Sequence, residues 1–370
     1  MRTHPRRGGR VGSLWRAELA RGLAAQTAGD VDGARAAMTR AASMAPDEAE
    51  PPFALGRLAE RLGRGDEAER FYRRALQLRP SWPLAAAALA RRLGLRSSRP
   101  ALAEAERLVQ ATLTSAPQHP LLLMVSGELA LEREDGEAAI AALTAAVAAG
   151  ADAAVVNRAL ARAHNLAAIA LASAYRDDEA LFGFGRASAL DPTFAPPQVN
   201  LGALWQRLGK PQQALRHYRQ AVALDARNGT AQLSLGLLLR ERGDLAGATQ
   251  ALTAAHTSCD PPHPRARVEL AFTLSARGEH DDAAALLAEE ARVGDGDKAT
   301  AWTNLGVAWL LADDLPRAQT ALQTALAHDP GHVAALRNLA HVLARRGRLV
   351  DAAALVRRAN GNLRAVAESK

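Results

Sequence analysis

The chain has 370 residues, is rich in alanine, leucine and arginine, and carries only 4% aromatic residues and one cysteine, Cys259. Its net charge of +7 rests on arginine, since the lysines are Lys210, Lys298 and Lys370 alone; spread over this length it is a mild bias towards acidic partners and excludes the dense basic footprint of a nucleic-acid binder. A single cysteine excludes an internal disulfide and any cysteine-built zinc site, and no window is apolar for long enough to span a bilayer. Arg6-Arg7 is followed by Trp15-Arg16-Ala17-Glu18 rather than by the apolar stretch of an export signal, so a cytoplasmic protein without membrane partners is expected.

Residues 1–14, with Arg2, Arg6, Arg7 and Arg10, read as a flexible basic arm. After it one small residue recurs: Gly22, Gly56, Ala90, Gly127, Ala168, Gly202, Gly236, Ala271, Gly306 and Ala340. The spacings are 34, 34, 37, 41, 34, 34, 35, 35 and 34 residues. In nine of these ten segments an alanine follows twelve residues later, from Ala34 and Ala68 to Ala318 and Ala352; in the third the gap is fifteen, from Ala90 to Ala105. Four residues beyond each alanine stands a larger side chain: Met38, Tyr72, Val109, Leu143, Phe184, Tyr218, Leu252, Leu287, Leu322 and Val356.

Two antiparallel helices cross closely only where the side chains between them are small. Each segment therefore reads as a helical hairpin, with the larger residue filling the seam to the next hairpin. Gly29, Gly63, Gly209, Gly243, Gly278 and Gly347 stand where a first helix must stop and reverse. Pro46, Pro80, Pro117, Pro192 and Pro330 then stop second helices.

The pattern is fullest over 195–228, with Leu201-Gly202, Trp205, a turn at Gly209-Lys210-Pro211, then Ala214, Tyr218 and Ala221. It returns with Trp302, Leu305-Gly306, Trp309, Ala318, Leu322, Ala325 and Pro330. This grammar resembles the tetratricopeptide repeat, W-x2-L-G-x2-Y…A-x3-F…P. The resemblance covers about 15–366 and implies an all-α fold, a right-handed superhelical α-solenoid of about ten helix-turn-helix units whose first helices line a concave side. On this reading residues 15–152 hold the first four repeats, 153–194 an irregular fifth, 195–366 repeats six to ten, and 367–370 a tail.

Three places break the regularity. Ser97-Ser98-Arg99-Pro100 lengthens the turn of the third repeat, and Pro100 is placed to open the following helix. Over 151–186 about eight extra residues precede the fifth repeat, Ala153 to Ala174 reads as one long helix, and Tyr175 replaces the turn glycine. That stretch is either a joint between two halves or a simple insertion. At the end, Asn360-Gly361 is expected to stop the last helix, leaving too little chain for a cap, so the last repeat is expected to fray or to pair with another chain in a homo-oligomer.

Catalytic patterns are weak. His280-Asp281-Asp282 with His328, His332 or His341 has the residue types of an iron facial triad, but His280 falls in a predicted turn beside the packing residue Ala283. Gly183-x-Gly185 has no strand before it, and Gly294-Asp295-Gly296-Asp297 lacks the closing glutamate of a calcium loop. Cys259 precedes Asp260-Pro261-Pro262 in a loop, where a loosely exposed thiol is expected. No catalytic residue, metal ligand or cofactor is assigned.

The resemblance points instead to a groove, into which the residue two before each small one projects. In the later repeats these are Asn200, Ser234, Glu269, Asn304 and Asn338; in the earlier ones, Ala20, Ala54, Ala88 and Val125. A carboxamide both donates and accepts, so a row of them can pair with the backbone of an extended peptide. The row is similar to the asparagine ladder in the repeat arms of O-linked sugar transferases, with Ser234 and Glu269 as interruptions. Phe53, Arg57, Arg91, Arg207, Arg240, Arg337 and His341 occupy neighbouring groove positions. The expected function is a non-catalytic scaffold that binds a peptide or extended protein segment, an acidic one suiting the arginines. The alternative is a recruiting or assembly arm for a separately encoded enzyme, such as a glycosyltransferase.

Overall fold

The computed structural model describes residues 8–368 apart from 97, 260–262, 264 and 295, with side chains described between 14 and 362. Every regular element among them is a helix, and the chain divides into two compact halves, one ending at Phe194 and the other beginning at Ala195. In the N-terminal half α1 (Gly8–Thr27) pairs with α2 (Val31–Met44), α3 (Glu50–Arg61) with α4 (Gly65–Leu78), and α5 (Pro83–Gly94) with α6 (Arg99–Ser115). Then α7 (Pro120–Glu132) pairs with α8 (Gly136–Ala148), and α9 (Ala153–Ser173) with α10 (Asp177–Leu190).

The C-terminal half repeats the arrangement. Here α11 (Pro196–Arg207) pairs with α12 (Pro211–Leu224), α13 (Gly229–Glu241) with α14 (Leu245–Thr257), and α15 (Ala266–Ala276) with α16 (His280–Val293). Last come α17 (Lys298–Leu311) with α18 (Leu315–His328), and α19 (Val333–Arg345) with α20 (Leu349–Glu368).

Local sequence sets the ends of these helices. Asp30, Asp135, Asn228, Asp244 and Asp314 each accept a hydrogen bond from a backbone N–H of the helix that follows. Pro83, Pro120 and Pro211 take the first helical position, where a missing N–H costs nothing, and Pro100 does the same one residue into α6. The six expected turn glycines all have positive φ, between 68° and 85°. In three other hairpins the same turn position carries Glu134, Tyr175 or Asp313, held at φ 59°, 59° and 63°.

Both chain ends are more helical than expected. The arm expected over 1–14 is already helix from Gly8, because Trp15 is buried among Ala41 and Ala45 and anchors α1; residues 1–7 lie outside the described ones. The stop expected at Asn360-Gly361 does not occur, and α20 continues to Glu368, into the stretch expected as a tail. One glycine costs a helix about 1 kcal/mol, and the Leu363-Arg364-Ala365 that follows propagates it. Cys259 is buried rather than exposed, with its Cβ facing Gly229. His280 is the first residue of α16 rather than part of a turn.

Inside each hairpin the contact is tight. Ala34, Ala68, Ala105, Ala139, Ala180, Ala214, Ala248, Ala283 and Ala318 are all fully buried. The larger residue four positions on closes its own hairpin as well as the next seam. A Cβ added to Gly202 would lie 2.5 Å from the Tyr218 ring, and one added to Gly306 would lie 2.6 Å from Leu322. Tyr218 also clusters with Ala231, Leu235 and Leu238 of the next hairpin, which flank Gly236 by five before, one before and two after.

The fifth hairpin breaks this register in a defined way. The partners of Leu143 are Val156, Leu160 and Ala163, which stand twelve, eight and five residues before Ala168. Ala168 is nonetheless the residue that meets Gly183 of α10. The extra residues therefore do not precede the repeat; they lie within α9, between the turns that seal onto α7 and α8 and the turns that pair with α10. The displacement of seven residues matches the excess of the 41-residue spacing over 34. At 1.5 Å per residue it amounts to about 10 Å.

Two substitutions test the packing. Gly202→Ala is expected to lower stability by about 1–3 kcal/mol, whereas Gly185→Ala, whose added methyl meets nothing within 4 Å, is expected to raise it by about 0.5–1 kcal/mol; urea titration followed by helicity gives the sign of each. Separately, Glu134→Gly relieves a left-handed non-glycine residue and is expected to raise stability by about 1 kcal/mol in the same titration.

Candidate functional site

First helices lie against one another within each half: α5, α7 and α9 in the N-terminal half, and α11, α13, α15, α17 and α19 in the C-terminal half. Residues at i, i+3 and i+7 on neighbouring helices therefore form a shared face.

In the N-terminal half that face holds a cleft of about 440 Å³, walled by α5, α7 and the first turns of α9. Leu95 and Val155, 72% and 61% exposed, give it an apolar lining together with Val125 and Leu129. A two-pronged ion pair crosses it, with Arg91 Nε 2.8 Å and Nη2 2.9 Å from the carboxylate oxygens of Glu128. Arg158 and Arg162 stand one turn apart on the α9 wall; Arg158 is only 3.7 Å from Asp191, and Arg162 has no ion-pair partner among the described residues. Of the groove residues expected here, Arg91 lines the cleft and Arg57 is exposed on α3. Phe53, also on α3, packs against two other rings. It is half-buried between Tyr72 and Trp82, at ring-centroid distances of 5.7 and 4.6 Å.

In the C-terminal half Asn200, Ser234, Glu269, Asn304 and Asn338 are all half-buried on the first-helix face. The structure explains both interruptions of the row. Ser234 hydrogen-bonds the Tyr218 hydroxyl, whose pKa burial raises and this contact lowers. Glu269 is held by two guanidinium groups, from Arg240 at 2.9 Å and Arg265 at 3.0 Å. Asn304 and Asn338 make no side-chain hydrogen bond among the described residues, and Arg337 and His341 are exposed beside Asn338 on α19. Arg207 is exposed at the end of α11.

Leu95, Val155, Arg158 and Arg162 were missed by sequence reasoning. Val155, Arg158 and Arg162 follow i, i+3, i+7 spacing, which is the signal, but a reading that places the extra residues ahead of the repeat gives those turns no face. No group of three or more His, Cys, Asp or Glu residues among the described ones is arranged to hold a metal. None of the described helices is long and apolar enough to cross a membrane.

A family model described as the tetratricopeptide repeat matches residues 19–83, 95–154, 204–264 and 312–365, more than half of the chain, and a second of the same description matches 239–299. The chain belongs to the tetratricopeptide-repeat family. Among solved structures it is similar to YrrB, described as a tetratricopeptide-repeat protein with an unusual peptide-binding site, at 22% identity over 52% of this chain and 95% of that one, with a TM-score of 0.43. It is also similar to the Cut9–Hcn1 hetero-tetramer of APC/C, at 15% identity over 95% and 88% with a TM-score of 0.42. Yeast Tom70 matches at 14% identity over 94% and 92%, with a TM-score of 0.40. These likenesses concern the fold alone. No curated protein matches the chain significantly.

The histidines of this tetratricopeptide-repeat chain give it a pH dependence. Burial, reinforced by Arg216, lowers the pKa of His217, whose Nδ1 lies 2.8 Å from Gln198 Oε1; burial also lowers His164 and His256. A histidine whose folded pKa lies below its ordinary 6.5 favours the folded state fully above that value and loses the advantage as pH falls through it. Melting temperature is thus expected to fall from about pH 7.5 to about pH 5, and less steeply in His217→Gln.

Proposed function

We propose that this tetratricopeptide-repeat protein is a non-catalytic interaction scaffold that holds an extended segment of a partner protein along its first-helix faces. The observation that carries the reading is chemical: on faces built from adjoining first helices, groups able to bind a peptide are left open. Asn304 and Asn338 offer donor and acceptor to a backbone, as an extended strand requires whatever its side chains. In the N-terminal half an apolar cleft with guanidinium groups on one wall suits an apolar side chain next to a carboxylate. An acidic side chain in the partner suits Arg162, whereas Glu60 and Glu132 on the same cleft suit a basic one. The family is generally one of interaction modules rather than enzymes.

Preorganisation supplies the affinity. Faces built on paired helices do not have to order themselves on binding, so little of the contact energy is offset by lost flexibility. Photo-cross-linkers placed at Leu95 and Asn338 would show which segment lies on each face. Asn304→Ala combined with Asn338→Ala is expected to weaken the captured segment about tenfold while leaving helicity and melting unchanged, as the loss of one or two hydrogen bonds requires. Equal affinity in the double variant would remove the amides from the site.

A further inference from the structure

The insertion within α9 also shapes the opposite surface of the N-terminal half. Because α10 pairs two turns further along α9 than a second helix ordinarily does, α8 and α10 leave part of the back of α9 uncovered. A groove of about 400 Å³ results, with Ile140, His164, Leu171 and Phe182 along its floor. Phe182 is 71% exposed.

The repeat pattern makes that phenylalanine an outlier. Two residues before the seam side chain, the other nine hairpins carry alanine four times, arginine three times, and otherwise Gln250 and Thr320. A small or polar residue is what a solvent-facing helical position ordinarily holds. Only where the groove exists does the position carry a large apolar ring. The acidic side chains that line the groove are Glu137, Asp178 and Glu179, with Arg176 near Glu137 and Arg186 near the lining His164. Glu137 opens α8, and Asp178 and Glu179 open α10. Arg176 pairs with Glu179 at 2.6 Å, while Glu137 and Asp178 make no ion pair among the described residues.

We propose that this groove docks a short amphipathic segment of a partner protein, with an apolar side chain on Phe182 and lysine or arginine residues against Glu137 and Asp178. A purely apolar partner would strand two carboxylates, and an acidic one would be repelled by them. The site is separate from the first-helix faces, since it is built from the outward sides of α8 and α10 and the back of α9.

The probe is a fluorescent peptide, acetyl-Leu-Lys-Lys-Leu-Leu-Lys-Leu-Lys-amide, titrated with the full chain and read by anisotropy, beside a counterpart with glutamate for lysine. The lysine peptide is expected to bind and the glutamate peptide not. Phe182→Ser, and separately Glu137→Gln with Asp178→Asn, are expected to weaken binding at least tenfold with unchanged helicity, because all three side chains are exposed. Glu137→Lys with Asp178→Lys is expected to exchange the preference of the two peptides, and Asn304→Ala with Asn338→Ala to leave lysine-peptide binding unaltered. Wild-type affinity in Phe182→Ser, or equal binding of both peptides, overturns the proposal. So does a wild-type dimer that Phe182→Ser converts to monomer in sedimentation, which would give the groove to a second copy of the chain.

Discussion

The whole architecture depends on how closely two helices of a hairpin approach. At Gly202 the Tyr218 ring occupies the space a Cβ would need, and Gly56 stands in the same relation to Tyr72. That approach fixes the spacing of each hairpin and turns the same ring towards the next, where it meets residues five before, one before and two after the following small residue. One side chain thus sets both the internal geometry of its hairpin and the register of the stack. Fully buried alanines such as Ala214 and Ala221 keep the rest of the crossing equally close. The core is therefore a series of small, similar contacts, and stability is roughly a sum over neighbours rather than the property of one large interior.

Such a stack tolerates an irregularity only if the helix can absorb it, and α9 does so by length. Seven residues make almost two whole turns and rotate the following residues by only about 20°. The second part of α9 is carried along its axis without turning its packing stripe away, so Val156, Leu160 and Ala163 seal one side while Ala168 meets α10 further on. An insertion of two or five residues would have rotated that stripe by more than half a turn or nearly as much. The price is a stretch of α9 that no second helix covers, and the bulky Phe182 stands over it.

Much of this was legible because the repeat is enforced by sterics. Gly22, Gly56 and Gly306 announce the crossing, a role that only alanine shares in the other hairpins, and Gly209 and Gly243 announce the reversals, where a positive φ strains any other residue. The long helix of the fifth repeat and the loss of its turn glycine at Tyr175 were equally plain in sequence. What escaped depends on distant neighbours. Cys259 lies in a stretch that reads as an exposed loop, yet it is buried close to Gly229; burial, followed by Asp225, raises its thiol pKa. Phe53 is singled out by position on its helix, but its contacts with Tyr72 and Trp82 are not visible in sequence. The row of amides was visible as residue types. Which of them stay open was not, because that depends on Tyr218 reaching Ser234 and on Arg240 and Arg265 converging on Glu269.

The preference for arginine over lysine has its explanation in the same stack. Many guanidinium groups link one hairpin to the next: Arg35 to Glu67, Arg91 to Glu128, Arg133 to Glu106 and Arg345 to Asp313, at 2.6 to 3.0 Å. Each pair is partly exposed and contributes little alone, typically about 0.2–1 kcal/mol. Their value is geometric, since a planar fork engaging a carboxylate on a neighbouring hairpin resists sliding in a way that a single ammonium does not. Lys298 shows the contrast, folding back onto the carbonyls of Ala291, Arg292 and Gly294 at the end of the preceding helix. Part of the positive charge is thereby matched within the protein. Among the cations with no ion pair between described residues, Arg162 on α9 and Arg337 on α19 lie on first helices.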